Sequence, residues 1–410
     1  MRFIVQKFGG TSVTTAEKRE QVAKKIIAAW SEEFSPVVVV SAMGRNGDPY
    51  ATDTLINLVN QDNSDNPELP TRDLDLLMSC GEIISGVMMA STLNQMGHQS
   101  VFMTGWQAGV ITDNTHGNAR ILRVEPQRII ELAKKGLIVV VAGFQGRTED
   151  YEITTLGRGG SDTTAAALGV ALEAEFVDVY TDVEGIMTAD PRIVSDAKTL
   201  DVVTYNEICH LAHEGAKVIH PRAVEIAMQK NIPLRVKCTF TDAPGTLVTA
   251  HTGTGQGADM VNDRLITGIT HIPNITQLKI FTKDYPDVKD VQLKIFRAMA
   301  LAEISVDFIN VHPHAVIYTV KDEEAEKAIK ILENMGFQAE SVPGCAKIST
   351  VGAGMSGIPG VMASIVEALT KEGVQILQSA DSHTTIWCLV KRDDMEKAVR
   401  ALHEMFQLGV

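Results

Sequence analysis

Apolar runs alternate with amphipathic stretches through the first 250 residues. Residues 3–7 predict a short strand, and residues 37–40 and 137–141 are apolar at consecutive positions, which predicts strands buried on both faces. Residues 15–30 instead have the spacing of a helix. Buried strands separated by helices predict a parallel sheet that is covered on each side. The predicted fold class of this part of the chain is therefore α/β.

Several of the predicted strands end in turns that contain glycine or serine. These turns read FGG at 8–10, SAMG at 41–44 and AGF at 142–144. In open α/β sheets, ligands bind just beyond the carboxyl ends of the strands. The turns therefore predict an active site at one edge of the sheet.

The character of the sequence changes near residue 250. Residues 251–264 begin with a run rich in Gly and Thr, which predicts a linker. A shift of 70 residues then places 326–328 on 396–398, both reading Glu-Lys-Ala, and Leu332 on Leu402. Each copy reads strand, helix, strand, strand, helix, the order of a ferredoxin-like βαββαβ unit. The expected domains are 1–250, 265–343 and 344–410, and the C-terminal end is a candidate to complete the sheet of the first copy.

Composition and charge exclude several classes of function. The net charge of -14 predicts an acidic surface that repels nucleic acid and anionic membranes, so neither is expected as a partner. The five cysteines form no CxxC pair, which argues against a disulfide framework and favours a reducing compartment. His210 and His213 stand beside Glu214 without a second ligand cluster, so no metal site built by the protein is expected. Without a signal-peptide pattern or an apolar run near the ~20 residues of a membrane span, the expected location is cytoplasmic.

The stretch KFGGTS at 7–12 directly follows the first predicted strand. Gly9 and Gly10 allow the backbone to approach an anion closely, and Lys7 supplies a compact positive charge for phosphate oxygens. The GxxxxGK[ST] spacing of a Walker A loop is absent. The stretch therefore indicates either a phosphate-binding turn of another kind or an ordinary strand-to-helix turn.

The stretch TLGRGGSDTT at 155–164 opens a predicted helix that is rich in alanine. Three glycines near a helix N-terminus indicate a ligand that approaches closely. Arg158 can hold a carboxylate through two parallel hydrogen bonds. Asp162 is either an N-cap or a carboxylate that orients lysines around a transferring phosphoryl group.

Three further features complete the candidate chemistry. The loop YTDVEGIMTADPR at 180–192 combines carboxylates, hydroxyls and an arginine, which suits a nucleotide with its metal ion. The stretch GAKVIHP at 215–221 offers a second lysine, Lys217. Glu82 either binds an ammonium group or lies on a solvated helix face. Two lysines, an arginine, carboxylates and glycine turns together indicate phosphoryl transfer, which needs positioning and charge neutralisation more than a covalent nucleophile.

With these motifs, the sequence resembles the aspartokinases of the amino-acid kinase family over nearly its whole length. The resemblance rests on KFGGTSV from Lys7, HGNAR at 116–120, TTLGRGGSDTTAAALG at 154–169 and YTDVEGIMTADPR. More narrowly, SAMGRNGDPYATD at 41–53 and ILQSADSHTTIW at 376–387 resemble the diaminopimelate-regulated isozyme of spore-forming Gram-positive bacteria. The duplicated unit resembles the paired ACT domains of these enzymes.

The resemblance implies a fold and a reaction. The fold would be an amino-acid-kinase domain, an open and mostly parallel sheet between helices, followed by two ferredoxin-like ACT domains. The reaction would transfer the γ-phosphoryl group of ATP, with Mg²⁺, to the side-chain carboxylate of L-aspartate and give 4-phospho-L-aspartate. That step commits aspartate toward diaminopimelate, lysine, threonine and methionine.

The resemblance also implies roles for individual residues. The residues expected at the reacting groups are Lys7, Asp162 and Lys217. The residues expected to hold aspartate are Ser41, Thr52, Glu82, Arg158 and Ser161, with Glu82 on the amino group and Arg158 on the α-carboxylate. The residues expected to face the nucleotide are Lys7, Gly9, Gly10, Thr181, Asp182, Met187, Arg192 and Lys217. The residues expected to bind an amino-acid effector are Gly357, Ile358, Pro359, Gln375, Ile376 and His383.

Two stretches depart from the family pattern. Extra residues stand between Met43 and Thr52 relative to the shorter MGxTTD form, and 282–286 lacks the Pro-Gly turn that introduces the helix in many effector-binding ACT copies. The second copy keeps a Pro-Gly turn at 357–360. The effector expected by resemblance is meso-diaminopimelate, with lysine, alone or with threonine, as the alternative. Because a small sheet leaves open strand edges, we also expect a homodimer through residues 265–410.

Two other functions compete with this hypothesis. The first is an amino-acid kinase that acts on acetylglutamate or on a nucleotide monophosphate, and Glu82 together with the ACT pair argues against it. The second is an amino-acid sensor without catalysis, which predicts loss of Lys7, Arg158 or Asp162. All three residues are present.

Overall fold

A computed structural model of the chain describes residues 1–62, 69–216, 218–250, 264–282, 285, 288–355 and 357–410. These residues form two compact units. The first contains Met1–Ile186, Thr199–His213 and residues 218–250, and the second contains Met187–Lys198, Glu214–Ala216 and the described residues from 264 onward. This division differs from the expected domain boundary at residue 250, because two short segments from before that boundary pack with the C-terminal part of the chain. The expected linker at 251–264 lies outside the described residues except for Arg264.

The first unit alternates strands and helices as the apolar pattern predicts. Its described strands are β1 (Arg2–Phe8), β2 (Phe34–Val40), β3 (Ser100–Met103), β4 (Val110–Thr112), β5 (Ile121–Val124), β6 (Ile138–Ala142), β7 (Gln145–Arg147), β8 (Ile153–Thr155), β9 (Phe176–Thr181), β10 (Val202–Thr204), β11 (Leu234–Cys238) and β12 (Thr246–Thr249). Its described helices are α1 (Ala16–Ser31), α2 (Thr52–Asp62), α3 (Thr71–Gln95), α4 (Gln127–Lys134), α5 (Gly160–Ala171), α6 (Tyr205–His213) and α7 (Pro221–Met228).

A mostly parallel sheet forms the centre of the first unit. Within the described residues its strand order is β10-β12-β11-β9-β1-β2-β6-β3, and neighbouring strands run parallel except β11 and β12. Every residue of β6 is buried, which is the consequence of placing consecutive apolar residues in a strand that is covered on both faces. A smaller described sheet has the order β5-β4-β7-β8. The α/β fold class is therefore confirmed.

Two helices beside this sheet show how local sequence decides burial. At the start of α1, the Thr15 hydroxyl accepts a hydrogen bond from the Lys18 backbone N–H, and Val22, Ala23 and Ile26 then pack into the core. Helix α3 is long and apolar enough to cross a membrane by length and composition, but half of that stretch is buried inside the protein. Core helices of soluble proteins have the same character.

The second unit contains the duplicated module. Its described elements are β13 (Gly268–Phe281), α8 (Val288–Leu301), β14 (Asp307–His312), β15 (Ala315–Lys321), α9 (Asp322–Asn334), β16 (Ala339–Val351), α10 (Val361–Lys371), β17 (Gln378–Asp381), β18 (Thr385–Lys391) and α11 (Met395–Met405). Adding 70 to the limits of β15 gives the limits of β18, so the repeat in the sequence corresponds to a repeat in the structure. The first copy lacks the Pro-Gly turn at 282–286, and residues 283, 284 and 286 of that stretch lie outside the described residues.

The two copies share one antiparallel sheet. Its described order is β14-β15-β13-β16-β18-β17, and the long strands β13 and β16 pair with each other along most of their length. Residues 339–342 of β16 extend the sheet of the first copy, and residues 268–273 of β13 extend the sheet of the second. From the sequence, the C-terminal end was a candidate to complete the sheet of the first copy. That suggestion is corrected, because the residues after β18 form a short turn and α11, and β16 supplies the strand instead.

A buried ion pair anchors the segment Glu214–Ala216 within the second unit. Lys347 of β16 lies 3.1 Å from a Glu214 carboxylate oxygen and 2.6 Å from an Asp307 carboxylate oxygen, and the Ser349 hydroxyl donates to Glu214 over 2.6 Å. Lys347 and Glu214 are both buried, whereas the Asp307 side chain is mostly exposed. The Glu214 carboxylate therefore depends on Lys347 for its counter-charge and on Ser349 for a hydrogen bond.

Replacing Lys347 by methionine is expected to destabilise the second unit by about 3 kcal/mol, because it leaves the Glu214 carboxylate buried without its counter-charge. Hydrogen exchange on peptides from β16 in the full-length chain measures this loss. The matched control is Lys391→Met on the neighbouring strand β18, where the side chain is exposed and the expected change is within about 0.5 kcal/mol. Equal protection of β16 in the two variants would contradict the proposed dependence of Glu214 on Lys347.

Candidate active site

The carboxyl ends of β9, β1, β2 and β6 lie next to one another at one edge of the large sheet. In the strand register, Phe8 is opposite both Val40 and Tyr180. The Ser41 N–H donates to the Phe8 carbonyl over 3.2 Å, and the Gly143 N–H donates to the Val40 carbonyl over 3.0 Å. The three glycine- or serine-containing turns that follow β1, β2 and β6 are therefore adjacent at this edge, which is where parallel α/β sheets bind ligands.

The turn after β1 is packed too closely to accept any side chain at Gly10. A Cβ atom there would stand 2.3 Å from the Ala42 carbonyl oxygen, and the Gly44 N–H donates to the Gly10 carbonyl over 3.1 Å. The Ser12 hydroxyl is buried and hydrogen-bonded to the Thr239 hydroxyl over 2.8 Å. The backbone of the β1 turn is therefore fixed on both sides before any ligand binds.

Lys7 and Asp162 form an ion pair at this edge. The Lys7 Nζ lies 2.7 Å from Asp162 Oδ1, and the two side chains are only 14% and 12% exposed. The other Asp162 oxygen accepts the His220 backbone N–H over 3.2 Å. Helix α5 has Gly159, not Asp162, as its N-cap residue. Of the two roles considered for Asp162, the structure therefore favours the carboxylate that orients a lysine.

The glycine turn before α5 presents Arg158 to solvent. Gly157 and Gly159 have φ angles of 73° and 68°, in the left-handed region that favours glycine. A Cβ at Gly159 would lie 2.1 Å from the His220 ring, so the turn also needs glycine for space. Arg158 is exposed, and among the described residues no carboxylate pairs with it. Its guanidinium is therefore available to a carboxylate ligand, while the buried Ser161 packs against Gly143 at the end of β6.

Glu82 is buried beside the turn that follows β2. It lies on α3, is 2% exposed, and its Oε1 accepts the Ala42 N–H over 3.0 Å. Its Oε2 is buried and has no hydrogen-bond partner among the described residues. Burial raises the pKa of Glu82 to about 8. The solvated-face alternative is therefore wrong, and the unpartnered oxygen is suited to an ammonium group.

The extra residues after Met43 form a braced loop that the sequence did not mark as functional. The Arg45 N–H donates to the Asp48 carboxylate over 2.8 Å, and the Gly47 N–H donates to the Thr54 hydroxyl over 3.1 Å. The Arg45 guanidinium reaches the Asp182 carboxylate at 3.0 Å, after β9. Thr52 is half-buried at the start of α2. Arg45 is thus a basic group beside Asp182, one of the residues expected to face the nucleotide. The only sign of this in the sequence was the position of Arg45 among the extra residues after Met43.

Three residues of the predicted nucleotide set do not lie among the described residues of the first unit. Lys217 lies outside the described residues. Met187 and Arg192 belong to the second compact unit, where the Arg192 guanidinium bonds to the Asp190 carboxylate over 2.6 Å. That contact holds the pKa of Asp190 below its usual value. The nucleotide roles of these residues stay predictions.

Comparison with known proteins adds an independent observation. The model of the amino acid kinase family matches residues 2–238, and an ACT domain model matches residues 340–404. Aspartokinase 1 of Bacillus subtilis is 53% identical over 411 residues, covering all of both chains. The aspartokinase of Mycolicibacterium smegmatis is 40% identical over all of this chain and 97% of its own. This chain belongs to the aspartokinase family.

Solved aspartokinase structures have the same fold. Aspartokinase III of E. coli in complex with aspartate and ADP matches with a TM-score of 0.78 at 25% identity, over 98% of this chain and 99% of that one. The same enzyme in complex with lysine and aspartate matches with a TM-score of 0.76 over the same shares. As a member of this family, the protein is a kinase that uses a nucleotide.

In aspartokinases the ACT region is the expected regulatory part, and a cavity in this chain's second unit contains several of the predicted effector residues. The cavity, of about 650 Å³, is open to solvent and includes Gly357, Ile358 and His383 in its lining, together with Asp381 and Ser382. Gln375 is exposed and Ile376 packs against the core of the second copy, and neither is part of that lining. The effector roles of all six residues, Pro359 included, stay predictions.

Proposed function

We propose that this aspartokinase transfers the γ-phosphoryl group of ATP to the β-carboxylate of L-aspartate, giving 4-phospho-L-aspartate and ADP. The observation that carries the proposal is the Lys7–Asp162 pair, held at the carboxyl edge of the sheet in the same unit as the unpartnered Glu82 oxygen and the exposed Arg158. A cation for phosphate, an anion for an amino group and a guanidinium for a carboxylate match the charges of the two substrates.

The chemistry needs no general base. The β-carboxylate of aspartate is ionised at neutral pH, so one of its oxygens attacks the γ-phosphorus while the bond to the ADP oxygen breaks. Lys7 neutralises the charge on the transferring group, and Asp162 fixes the direction of the Lys7 ammonium. Mg²⁺ bound with ATP would add positive charge to the phosphate groups, held largely by phosphate oxygens and water rather than by a protein cage. The Asp182 carboxylate, which is paired with Arg45, is the acidic member of the expected nucleotide-binding set.

Recognition of aspartate divides between two parts of the edge. Glu82 receives the amino group, because the Ala42 N–H holds one of its oxygens beside the turn at Ser41 and the other oxygen has no partner among the described residues. Arg158 receives the α-carboxylate, and Ser41, Thr52 and Ser161 supply polar contacts. Acetylglutamate has no free amino group, so the buried Glu82 carboxylate disfavours that substrate.

Regulation and assembly are part of the same proposal. The effector is meso-diaminopimelate, with lysine, alone or with threonine, as the alternative, and it acts through a homodimer of the ACT regions. A cytoplasmic location accords with the five free cysteines. Sedimentation with and without effector tests the dimer, and a monomer at micromolar concentration in both conditions would contradict it.

The deciding experiment is acyl phosphate formation from ATP and aspartate, trapped with hydroxylamine, with meso-diaminopimelate, lysine and threonine added separately. Activity that diaminopimelate alone suppresses supports both the reaction and the effector. Activity suppressed by lysine or threonine keeps the reaction and overturns the effector. An absence of product from aspartate with every addition overturns the proposed acceptor.

A further inference from the structure

Asp75 is a fully buried carboxylate on the helix that carries Glu82. It precedes Glu82 by seven residues, which is two helical turns, so the two side chains lie on the same face of α3. Its relative exposure is 0%. A buried carboxylate is costly unless hydrogen bonds satisfy it, so its partners indicate why it is there.

Four donors converge on Asp75 from two separate loops. From the loop after β4, the His116 Nδ1 lies 2.9 Å away and the Gly117 N–H donates over 3.0 Å. From the end of β8, the Thr155 hydroxyl donates over 2.5 Å and the Thr155 backbone N–H over 3.1 Å. Two of these donors are backbone groups, so Asp75 fixes the course of the chain as well as side-chain rotamers.

The two loops are also joined to each other next to Arg158. The Ala119 N–H donates to the Thr155 carbonyl over 2.9 Å. Arg222 donates to the carbonyls of Ala119 and Leu156 over 2.7 and 2.9 Å. Thr155 stands three residues before Arg158, so the entry to the exposed glycine turn is fixed by the bonds to Asp75.

We propose that Asp75 is a positioning residue for aspartate recognition, since it holds the Arg158 turn in a fixed place relative to Glu82 on its own helix. The inference rests on the proposed function, because it assigns Glu82 and Arg158 to the two ends of one substrate. Loss of an ordinary buried carboxylate would reduce stability without a selective effect on the KM of one substrate. Loss of Asp75 should instead raise the KM for aspartate and leave the KM for ATP nearly unchanged. Asp75 itself touches neither substrate.

The test replaces Asp75 by asparagine and compares the Michaelis constants of the two substrates. The amide has the shape of the carboxylate, but its NH₂ group must face a donor, either the Gly117 N–H or a Thr155 group, so the turn is displaced. We expect the KM for aspartate to rise at least tenfold and the KM for ATP to stay within twofold. Asp178→Asn, which removes another buried carboxylate and its bond to Arg235, is the control for lost stability and should leave the KM for aspartate unchanged.

A second pair of variants covers the case in which Asp75→Asn does not fold. Thr155→Val removes only the hydroxyl that donates to Asp75, whereas Thr155→Ser retains it. We expect a three- to tenfold higher KM for aspartate with valine and a value near that of the parent with serine. Equal KM values in all variants of an active parent would overturn the positioning role alone. A parent that forms no product from aspartate would overturn the proposed function, and this inference with it.

Discussion

Replacing Lys7 by methionine is expected to lower kcat by roughly 10³-fold, with a much smaller change in the KM for aspartate. The Lys7 ammonium is held 2.7 Å from Asp162 in a largely buried position, so it is oriented before substrates bind. Removing a pre-oriented charge that stabilises a developing charge typically costs ~10²–10³ in kcat, and Lys7 neutralises the transferring group itself. Methionine retains most of the side-chain volume, so the lost charge causes the change. Hydroxylamine-trapped acyl phosphate measures it.

The matched control is Lys24→Met on α1, where the lysine is exposed. That variant is expected to retain the activity of the parent, because a solvated surface charge contributes little. Thermal unfolding of both variants separates loss of chemistry from loss of fold. A kcat within tenfold of the parent in a folded Lys7→Met variant would exclude Lys7 from the reaction. Lys217, which lies outside the described residues, would then be the lysine to test.

The sequence predicts the framework well because burial on both faces leaves a direct trace in it. The apolar residues of β2 and β6 could only belong to strands covered on two sides, and the constant 70-residue offset required two copies of one unit. The glycine turns at the strand ends were equally readable, since Gly10 has backbone atoms where a side chain would stand. Strand burial and turns are local in the chain, and a repeat is visible by comparing the sequence with itself, so sequence patterns report both.

Asp75 and Arg45 were missed for the opposite reason. Asp75 bonds to residues 41 and 80 positions away, and Arg45 to a residue 137 positions away, so no spacing rule connects them. The sharing of strands between β13 and β16 depends on tertiary pairing in the same way. Glu82 was ambiguous because a glutamate on a helix is most often solvated. In retrospect, its place on a long apolar helix was the available signal.

Replacing Glu82 by glutamine is expected to raise the KM for aspartate by about 10²-fold and, at the same time, to stabilise the ligand-free protein. Glutamine keeps an oxygen to accept the Ala42 N–H but has no charge for the substrate ammonium group. A buried hydrogen bond between charged groups contributes up to ~3 kcal/mol, and each 1.4 kcal/mol corresponds to a factor of ten in binding. Steady-state kinetics measures the KM, with Glu20→Gln at an exposed position of α1 as the control.

The stability gain depends on pH in a direction that follows from burial. Burial raises the folded-state pKa of Glu82 to about 8, from an ordinary value of 4.5. Between these values the folded protein holds a proton that the unfolded chain has released, so the stability of the parent falls as pH rises through this window. Glutamine carries no such proton. The stability difference between Glu82→Gln and the parent should therefore widen by about 3 kcal/mol from pH 5 to pH 8 and level off above it.

The same proton also connects stability with substrate binding. If the ammonium group of aspartate binds the ionised form of Glu82, binding at pH 7 must release the proton that the free protein holds there. Calorimetry in buffers of different ionisation enthalpy should detect release of nearly one proton in the parent and none in Glu82→Gln. The kcat/KM for aspartate should also rise with pH up to about 8 in the parent alone. The Glu82→Gln variant could be more stable than the parent and yet bind aspartate as tightly, with the same proton release. That result would show that Glu82 is a buried structural carboxyl. The amino group of the substrate would then need another partner.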